Sequence, residues 1–267
     1  MPTLSKNPGV IGFPAGIKDK NRVDFKNNRW IQVIESKGYR VAWFQTTQCP
    51  CRSVSTQTDQ ADPNCTLCGG NGWIFFKPVG AVSNPKIIGA LDTLQTKIST
   101  GGAVIHAVMT GLGNSKHPWE TVGPRLEGTS QCTVRAENKL GYYDRIIGLD
   151  ATLVYAQLIL AGDPAALLVT RYPVVSVNLL RSKTQVYALG TDYTVVAGDI
   201  QWVTGKGPVA GTPLTCHYLC HPTYRVIEHP HTVRLTYSKF KVEKPSTPMG
   251  DPIDLPTQAL LRYEWLL

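Results

Sequence analysis

Hydrophobic and polar residues alternate along most of the chain after residue 79, as they do in strands with one buried face. These runs are rich in β-branched and aromatic residues, and short turns with glycine separate them. The pattern predicts a mainly β protein of antiparallel β-sandwich or barrel lobes. The predicted strands are Lys86–Ser99, Ala103–Thr110, Thr129–Glu137, Tyr143–Asp150, Val174–Leu180, Gln185–Tyr187, Tyr193–Ala197, Ile200–Trp202, Thr215–His221, Tyr224–Ile227 and Thr232–Phe240.

The first 78 residues follow a different pattern. Residues 1–22 carry scattered Gly, Pro and Lys, which predicts an extended arm. Asp24 is a suitable N-cap for a short helix that runs to about Lys37, where Gly38 ends it. Strand patterns then follow at Tyr39–Phe44 and Trp73–Phe76.

The resulting division has five parts. They are an arm (1–22), a helix with a cysteine-stapled strand module (23–78), a β lobe (79–150), a β-sandwich-like lobe (151–243) and a C-terminal arm (244–267). Residues 152–160 are apolar enough for a helix or a buried strand, and periodicity does not decide between them. The apolar end of the C-terminal arm, ALLRYEWLL, is expected to pack on a lobe of its own chain or on a neighbouring subunit.

Four of the seven cysteines lie close together in the sequence, in the loop between the first two predicted strands. Cys65 and Cys68 are followed by Gly69-Gly70, which has the form of a zinc knuckle. Cys49 and Cys51 supply a second pair, although this spacing is tighter than usual. The pattern predicts a closed, structural zinc site with these four ligands, and disulfides or free thiols are the alternatives.

Two further observations favour the metal over disulfides. The chain has no run of eighteen apolar residues, and its first residues lack the apolar block of a signal peptide. We therefore expect a protein that is made and kept in the cytoplasm, where disulfides are rare, without a membrane partner.

The charge of the chain is moderately basic, at +8. The excess is concentrated in residues 1–60, which hold nine Lys or Arg and four acids. A basic end of this kind docks on an acidic partner or lies near nucleic acid, but a solvated arm is an equally good interpretation. Basic residues alternate with aromatic ones around Phe25 and Trp30, which keeps a zinc-stabilised nucleic-acid-binding module as an alternative function.

The remaining candidates for chemistry favour structural roles. Cys216 and Cys220 lie four residues apart on a predicted strand, about 13 Å from each other, so they share a face but not an ion. The same spacing separates His217 from His221, and these histidines are expected at the surface. The segment Tyr142–Arg145 suggests a structural Asp–Arg contact. No familiar motif of a hydrolase, nucleotide-binding protein or metalloprotease is present, so we expect no enzyme.

Several segments together resemble virion structural proteins of tailed bacteriophages, of the sort found at the neck, in the head-to-tail connector or collar. The resemblance spreads over about residues 25–265. It is carried by Cys49-Pro50-Cys51, Cys65–Trp73, Gly141–Ile146, Arg171–Val175, Gly190–Val195 with Ile200-Gln201-Trp202, Pro208 and Gly211, and His221–Val226 with Pro230-His231.

The resemblance implies a non-enzymatic subunit of a ring that joins portal or capsid to tail. Its expected partners are six or twelve copies of itself, portal or adaptor and tail proteins, and DNA passing nearby. The expected location is the virion, after assembly in the host cytoplasm. A tail or baseplate structural protein is the nearest alternative.

Overall fold

The computed structural model confirms a mainly β, antiparallel protein with a short N-terminal helix. Its described residues contain no helix with the length and apolar character needed to cross a membrane. The predicted arm at residues 1–22 lies outside them, as do residues 244–251. The structure describes residues 27–54, 61–111, 128–163, 166–230, 235–237 and 252–267.

Four α-helices and fifteen strands are found in these ranges, followed by a C-terminal 3-10 helix, Glu264–Leu266. The helices are α1 (Asn27–Lys37), α2 (Cys51–Val54), α3 (Pro85–Ile88) and α4 (Thr93–Ser99). The strands are β1 (Tyr39–Gln48), β2 (Trp73–Phe76), β3 (Ala103–Gly111), β4 (Thr129–Val134), β5 (Arg145–Gly148), β6 (Leu153–Leu160), β7 (Val174–Arg181), β8 (Val186–Tyr187), β9 (Tyr193–Val196), β10 (Asp199–Trp202), β11 (Pro213–Cys220), β12 (Thr223–Glu228), β13 (Leu235–Tyr237), β14 (Pro252–Asp254) and β15 (Thr257–Tyr263).

Six strands close into a barrel in the order β1-β3-β4-β15-β12-β5, because β5 also pairs with β1. Side chains alternate between the two faces of each strand, so one set fills the barrel interior. This set includes Val41, Trp43, Ile105 and Leu261. The second half of β1 extends beyond the barrel and pairs with β2. The barrel therefore presents β1 and β2 as a two-stranded projection, and this projection carries the cysteine loop.

A second core lies under a four-stranded sheet, β6-β11-β7-β8. The hairpin β9–β10 contributes Tyr193, Ile200 and Trp202 to the same core. Residues 153–160 form a strand, which settles the ambiguity in the sequence. Alternate residues of β6 are more exposed, as expected for a strand with one buried face.

The predicted boundaries need correction, because the two units are not contiguous in sequence. Strands from the predicted module 23–78 and the predicted lobe 79–150 pair within one barrel, so residue 78 is no boundary. β12 belongs to the barrel although it falls inside the predicted lobe 151–243. Within the predicted C-terminal arm, β15 is an integral barrel strand, because Ala259 and Leu261 alternate into the core.

The predicted strand Lys86–Ser99 is wrong, since this stretch forms α3 and α4. Asn84 caps α3 by accepting a hydrogen bond from the N–H of Lys86. Asp92 caps α4 by accepting a hydrogen bond from the N–H of Gln95, and its own N–H donates to the side-chain oxygen of Gln95. This capping box outweighs the β-branched residues that favour a strand.

The C-terminus joins the barrel to the second core. The 3-10 helix follows β15 directly, and Trp265 packs against Tyr155 and Tyr172 of the second core. His221 reinforces the junction from the other side, where its Nδ1 lies 3.0 Å from the carbonyl oxygens of Gly148 and Ala151. His221 is buried, so its predicted surface position is wrong.

The ion pair between Arg40 and Asp150 predicts a pH-dependent contribution to stability. Burial works against the charge of Asp150, but hydrogen bonds from Arg40 outweigh it and hold the pKa of that carboxyl below its usual range. A carboxyl with a lowered pKa stabilises the fold above its unfolded pKa, about 3.9, and this contribution disappears as the pH falls through the folded pKa.

Asp150→Asn is therefore expected to lower the free energy of unfolding by about 1 kcal/mol at neutral pH. The difference between the two proteins should shrink as the pH falls below about 4. Urea denaturation of both proteins at neutral and acidic pH measures this. A difference that stays constant over this range would contradict the assigned pair.

Candidate metal centre

The β1–β2 ladder places both ends of the cysteine loop side by side. Gln48 pairs with Trp73, and the N–H of Cys49 donates to the carbonyl oxygen of Gly72 at 2.9 Å. Cys49 thus leaves β1 at the point where the glycine-rich segment enters β2. α2 then turns the chain immediately after Cys49, because the N–H of Arg52 donates to the carbonyl oxygen of Cys49.

The second cysteine pair lies in a compact series of turns. The N–H of Cys65 donates to the carbonyl oxygen of Asp62, and the N–H of Gly69 donates to that of Cys65 at 2.9 Å. Gly72 has a φ of 72° and leaves no room for a side chain, since a Cβ there would lie 2.9 Å from the Cβ of Ala61. The glycines after Cys68 are thus required by the turn, as the sequence predicts.

The structure brings the four predicted ligands together. Their sulfur atoms all lie within 4.8 Å of one another. Cys49 and Cys65 are 3.7 Å apart, and Cys51 and Cys68 are 3.6 Å apart. Four thiolates at about 2.3 Å from one ion would be separated by about 3.8 Å, whereas a disulfide needs about 2.05 Å.

The surroundings of the sulfurs also suit a metal. The N–H of Gly72 donates to Sγ of Cys68 at 3.2 Å, a contact that orients and stabilises a thiolate ligand. Burial opposes ionisation of Cys68, but this bond and the neighbouring thiols lower its pKa to about 7. Burial raises the pKa of Cys51 to about 12. The quartet can hold one metal ion, whose charge would stabilise the four sulfurs as thiolates.

Aromatic and cationic side chains attach this centre to the barrel, and sequence reasoning did not assign them. The guanidinium of Arg52 lies 4.9 Å from the ring centroid of Trp73. The same tryptophan ring also contacts Tyr143, and the two ring centroids are 4.6 Å apart. The N–H of Tyr143 donates to the carbonyl oxygen of Val226 in β12. Only the adjacency of Trp73 to the cysteine turn hints at this arrangement in the sequence.

The other cysteines and histidines do not form a second centre within the described ranges, where the quartet is the one group of three or more metal-ligating side chains brought together. Cys216 and Cys220 lie fully buried on one face of β11, as predicted. Burial raises the pKa of both thiols to about 12, so they remain protonated core residues. Nδ1 of His217 lies 3.3 Å from the side-chain nitrogen of Asn178.

The Tyr142–Arg145 segment is structural, but its two charged residues do not pair with each other. Asp144 is buried and accepts hydrogen bonds from Nε1 of Trp43 at 2.8 Å and from the N–H of Gly141 at 2.7 Å. Arg145 pairs instead with Glu264 at 2.7 Å. Burial raises the pKa of Asp144. Its role is to hold β1 against the turn before β5.

Comparison with known proteins identifies no family. A scan of the sequence against protein-family models gives no match, and a search of curated proteins gives none either.

Proposed function

We propose that the cysteine quartet is a structural zinc site and that the protein is a non-enzymatic subunit of a tailed-phage virion. In this proposal, copies of the chain form a ring at the neck, as a collar or head-to-tail connector between portal or capsid and tail. Zinc is favoured over other metals because a tetrahedral set of four thiolates is typical of its closed sites.

A closed site has a structural consequence. Four protein ligands leave no position for water or substrate, so such an ion holds chain segments together and performs no reaction. Here it would join the end of β1, the start of α2 and the turns before β2. These segments bury little of their own, and a metal supplies the folding energy that burial does not.

One observation carries the structural role: residues in the segments that resemble neck proteins are built into the two cores. Asp144 binds Trp43, while Ile200 and Trp202 lie in the second core. Arg225 forms an ion pair with Glu264 at 2.7 Å. Each of these side chains has a partner that accounts for it without a substrate.

A cavity at the barrel end is consistent with this proposal. Its volume is about 260 Å³, and its lining includes Tyr39, Met109, Ser130, Tyr224 and Tyr263. No acid, histidine, lysine, arginine or cysteine is among the lining residues. The hydroxyl groups of this lining therefore have no histidine, carboxylate or lysine beside them in the cavity to activate a nucleophile.

Locating the protein in purified virions tests the proposed function. Gold-labelled antibody or cryo-electron microscopy should find copies at the junction between portal and tail, and mass photometry of the isolated protein should show a discrete closed oligomer. Labels on the tail or baseplate would favour the tail alternative. A strictly monomeric protein that is absent from virions would rule out both.

The nucleic-acid alternative makes a separate prediction. If the protein is a zinc-stabilised nucleic-acid-binding module, its affinity for DNA should fall steeply as salt is added. Absence of binding at low salt would dismiss that function.

A further inference from the structure

We propose that the free edge of β6 is a self-association surface, through which two copies of the chain pair antiparallel across a two-fold axis. β6 lies at the edge of the four-stranded sheet, with β11 on one side and no described strand on the other. It pairs with β11 over eight residues in continuous register. The inference is independent of the proposed ring, because a two-fold contact joins two chains and then stops.

The edge lacks the features that keep natural strand edges from pairing. β6 has the sequence LVYAQLIL, without a charge, a proline or a glycine. Edge strands are usually protected by lysine, proline, bulges or short length. β6 has none of these protections, so its exposed backbone groups are available to another strand.

The phase of the β6–β11 ladder shows which backbone groups are available. The N–H of Ala161 donates to the carbonyl oxygen of Thr212, so the backbone groups of Ala161 point towards β11. Because this direction alternates along an antiparallel strand, the N–H and C=O of residues 154, 156, 158 and 160 point away from β11. These four residues therefore offer the free hydrogen-bonding groups.

The same residues form an exposed apolar row. The exposed fractions are 80% for Leu158, 69% for Leu160 and 52% for Val154. Ala156 completes the row. Their side chains lie on the outer face of the sheet, opposite to the second core. A partner at this edge must supply both a hydrogen-bonding strand and an uncharged apolar row.

A second copy of β6 meets both requirements. With Gln157 on the two-fold axis, Val154 of one copy lies opposite Leu160 of the other, and Ala156 lies opposite Leu158. The backbone groups that point outward then face each other, and every large exposed side chain of the row gains an apolar neighbour. A shift of one residue would place outward side chains against inward ones.

Each chain carries +8, and two of its arginines bear on this pairing: Arg171, whose N–H donates to the side chain of Gln157, and Arg181 on the outer face of the sheet. The nearest charged residue on the outer face of the sheet is Arg181 of β7, which aligns with Thr215 and Leu158 across the strands. In the pair, the two Arg181 residues are five strand spacings apart, about 24 Å. This exceeds the Debye length of about 8 Å at physiological salt, so their repulsion is screened.

The size of the contact sets its strength. An edge about 26 Å long and about 10 Å thick covers roughly 300 Å² per chain. Stable interfaces usually cover about 800 Å² per partner. The pair is therefore a reversible dimer that dissociates on dilution.

Sedimentation velocity over a wide range of protein concentration tests this inference. Leu158→Lys places two charges in the apolar row, and we expect it to raise the dimer Kd by about 100-fold, since each copy contributes about a factor of ten. Ala156→Pro removes an N–H that faces the free edge and should also prevent pairing, while edge strands tolerate proline at such positions. The matched control is Val169→Lys, because Val169 is 80% exposed outside the four-stranded sheet and its change should leave the dimer intact.

Thermal melts of all variants show whether each one folds. A concentration-dependent dimer that Leu158→Lys and Ala156→Pro abolish, and Val169→Lys preserves, supports the inference. A wild-type protein that stays monomeric at all concentrations overturns it, as does a dimer that Leu158→Lys leaves unchanged. A larger closed ring whose mass does not respond to Leu158→Lys also overturns it, while leaving the proposed ring standing.

Discussion

Replacement of Cys68 by serine is expected to abolish the metal binding proposed for the quartet and to destabilise the β1–β2 projection. Cys68 is a buried member of the quartet whose Sγ accepts the hydrogen bond from the N–H of Gly72, so its loss removes both a thiolate and the contact that orients it. The free energy of metal binding at such a site contributes directly to the free energy of folding. The barrel has a core of its own, so we expect the free energy of unfolding to fall by about 3–5 kcal/mol and the protein to remain folded.

Elemental analysis and hydrogen exchange measure the two parts of this prediction. The wild-type protein should contain about one zinc ion per chain, as a closed site of four cysteines requires, and Cys68→Ser should contain almost none. The amides of Cys65, Gly69 and Gly72, which are hydrogen-bonded within the loop, should lose protection in the variant. Treating the wild-type protein with a chelator should reproduce both effects.

Cys132→Ala is the matched control. Cys132 is a fully buried thiol in the barrel core, far from the quartet in the fold, where it pairs with Met109 of β3 and Ala259 of β15. Its replacement should leave the metal content unchanged. Wild-type protein without stoichiometric metal, or with fewer than seven free thiols after chelation and denaturation, would contradict the zinc site and favour disulfides.

The grouping of the four cysteines was predictable because the sequence features that produce it are local. Cys65 and Cys68 share one turn, and the glycines that follow adopt the positive φ angles of that turn, which other residues rarely reach. The proximity of Cys49 to Cys65 and Cys68 follows from the two strand patterns, which flank a loop that has no core of its own. What the sequence does not reveal is how the loop is attached, since Tyr143 reaches Trp73 from seventy residues further along the chain.

The barrel was less predictable, because its strand pairings join segments that are distant in the sequence. Alternation identifies β1, β5 and β12 as strands, but not their neighbours, and β15 was assigned to the C-terminal arm. The pairing of Val41 with Gly148 and of Tyr224 with Tyr263 depends on contacts between distant segments. Contiguous lobes were therefore predicted where the chain builds one barrel from both of its ends. The error at α3 and α4 is of another kind, because the capping residues Asn84 and Asp92 are local signals in the sequence that the strand prediction did not use.

An ion-pair network holds the C-terminal helix against the barrel. Arg145 and Arg225 lie directly opposite each other on β5 and β12, so two like charges are neighbours in the ladder. Glu264 accepts from both, with Oε2 2.7 Å from Arg145 and Oε1 2.7 Å from Arg225. Both guanidinium groups also lie over the ring of Phe75, at 4.8 and 4.3 Å from its centroid. The negative charge of Glu264 therefore offsets the repulsion between the two arginines.

Glu264→Ala should lower the free energy of unfolding by about 3–5 kcal/mol, because it leaves the buried Arg225 and the partly buried Arg145 opposite each other without their anion. Burial already lowers the pKa of Arg225, which shows the cost of its charge in this position. Urea denaturation measures the change.

The control is Asp254→Ala, which breaks the exposed pair with Lys139 and should cost less than about 1 kcal/mol. Because Trp265 follows Glu264 directly, the variant should also loosen the contact of this ring with Tyr155, which tryptophan fluorescence reports. Equal losses in the two variants would mean that the arginine pair is stabilised by Phe75 and solvent, and that Glu264 does not tie the C-terminus to the barrel.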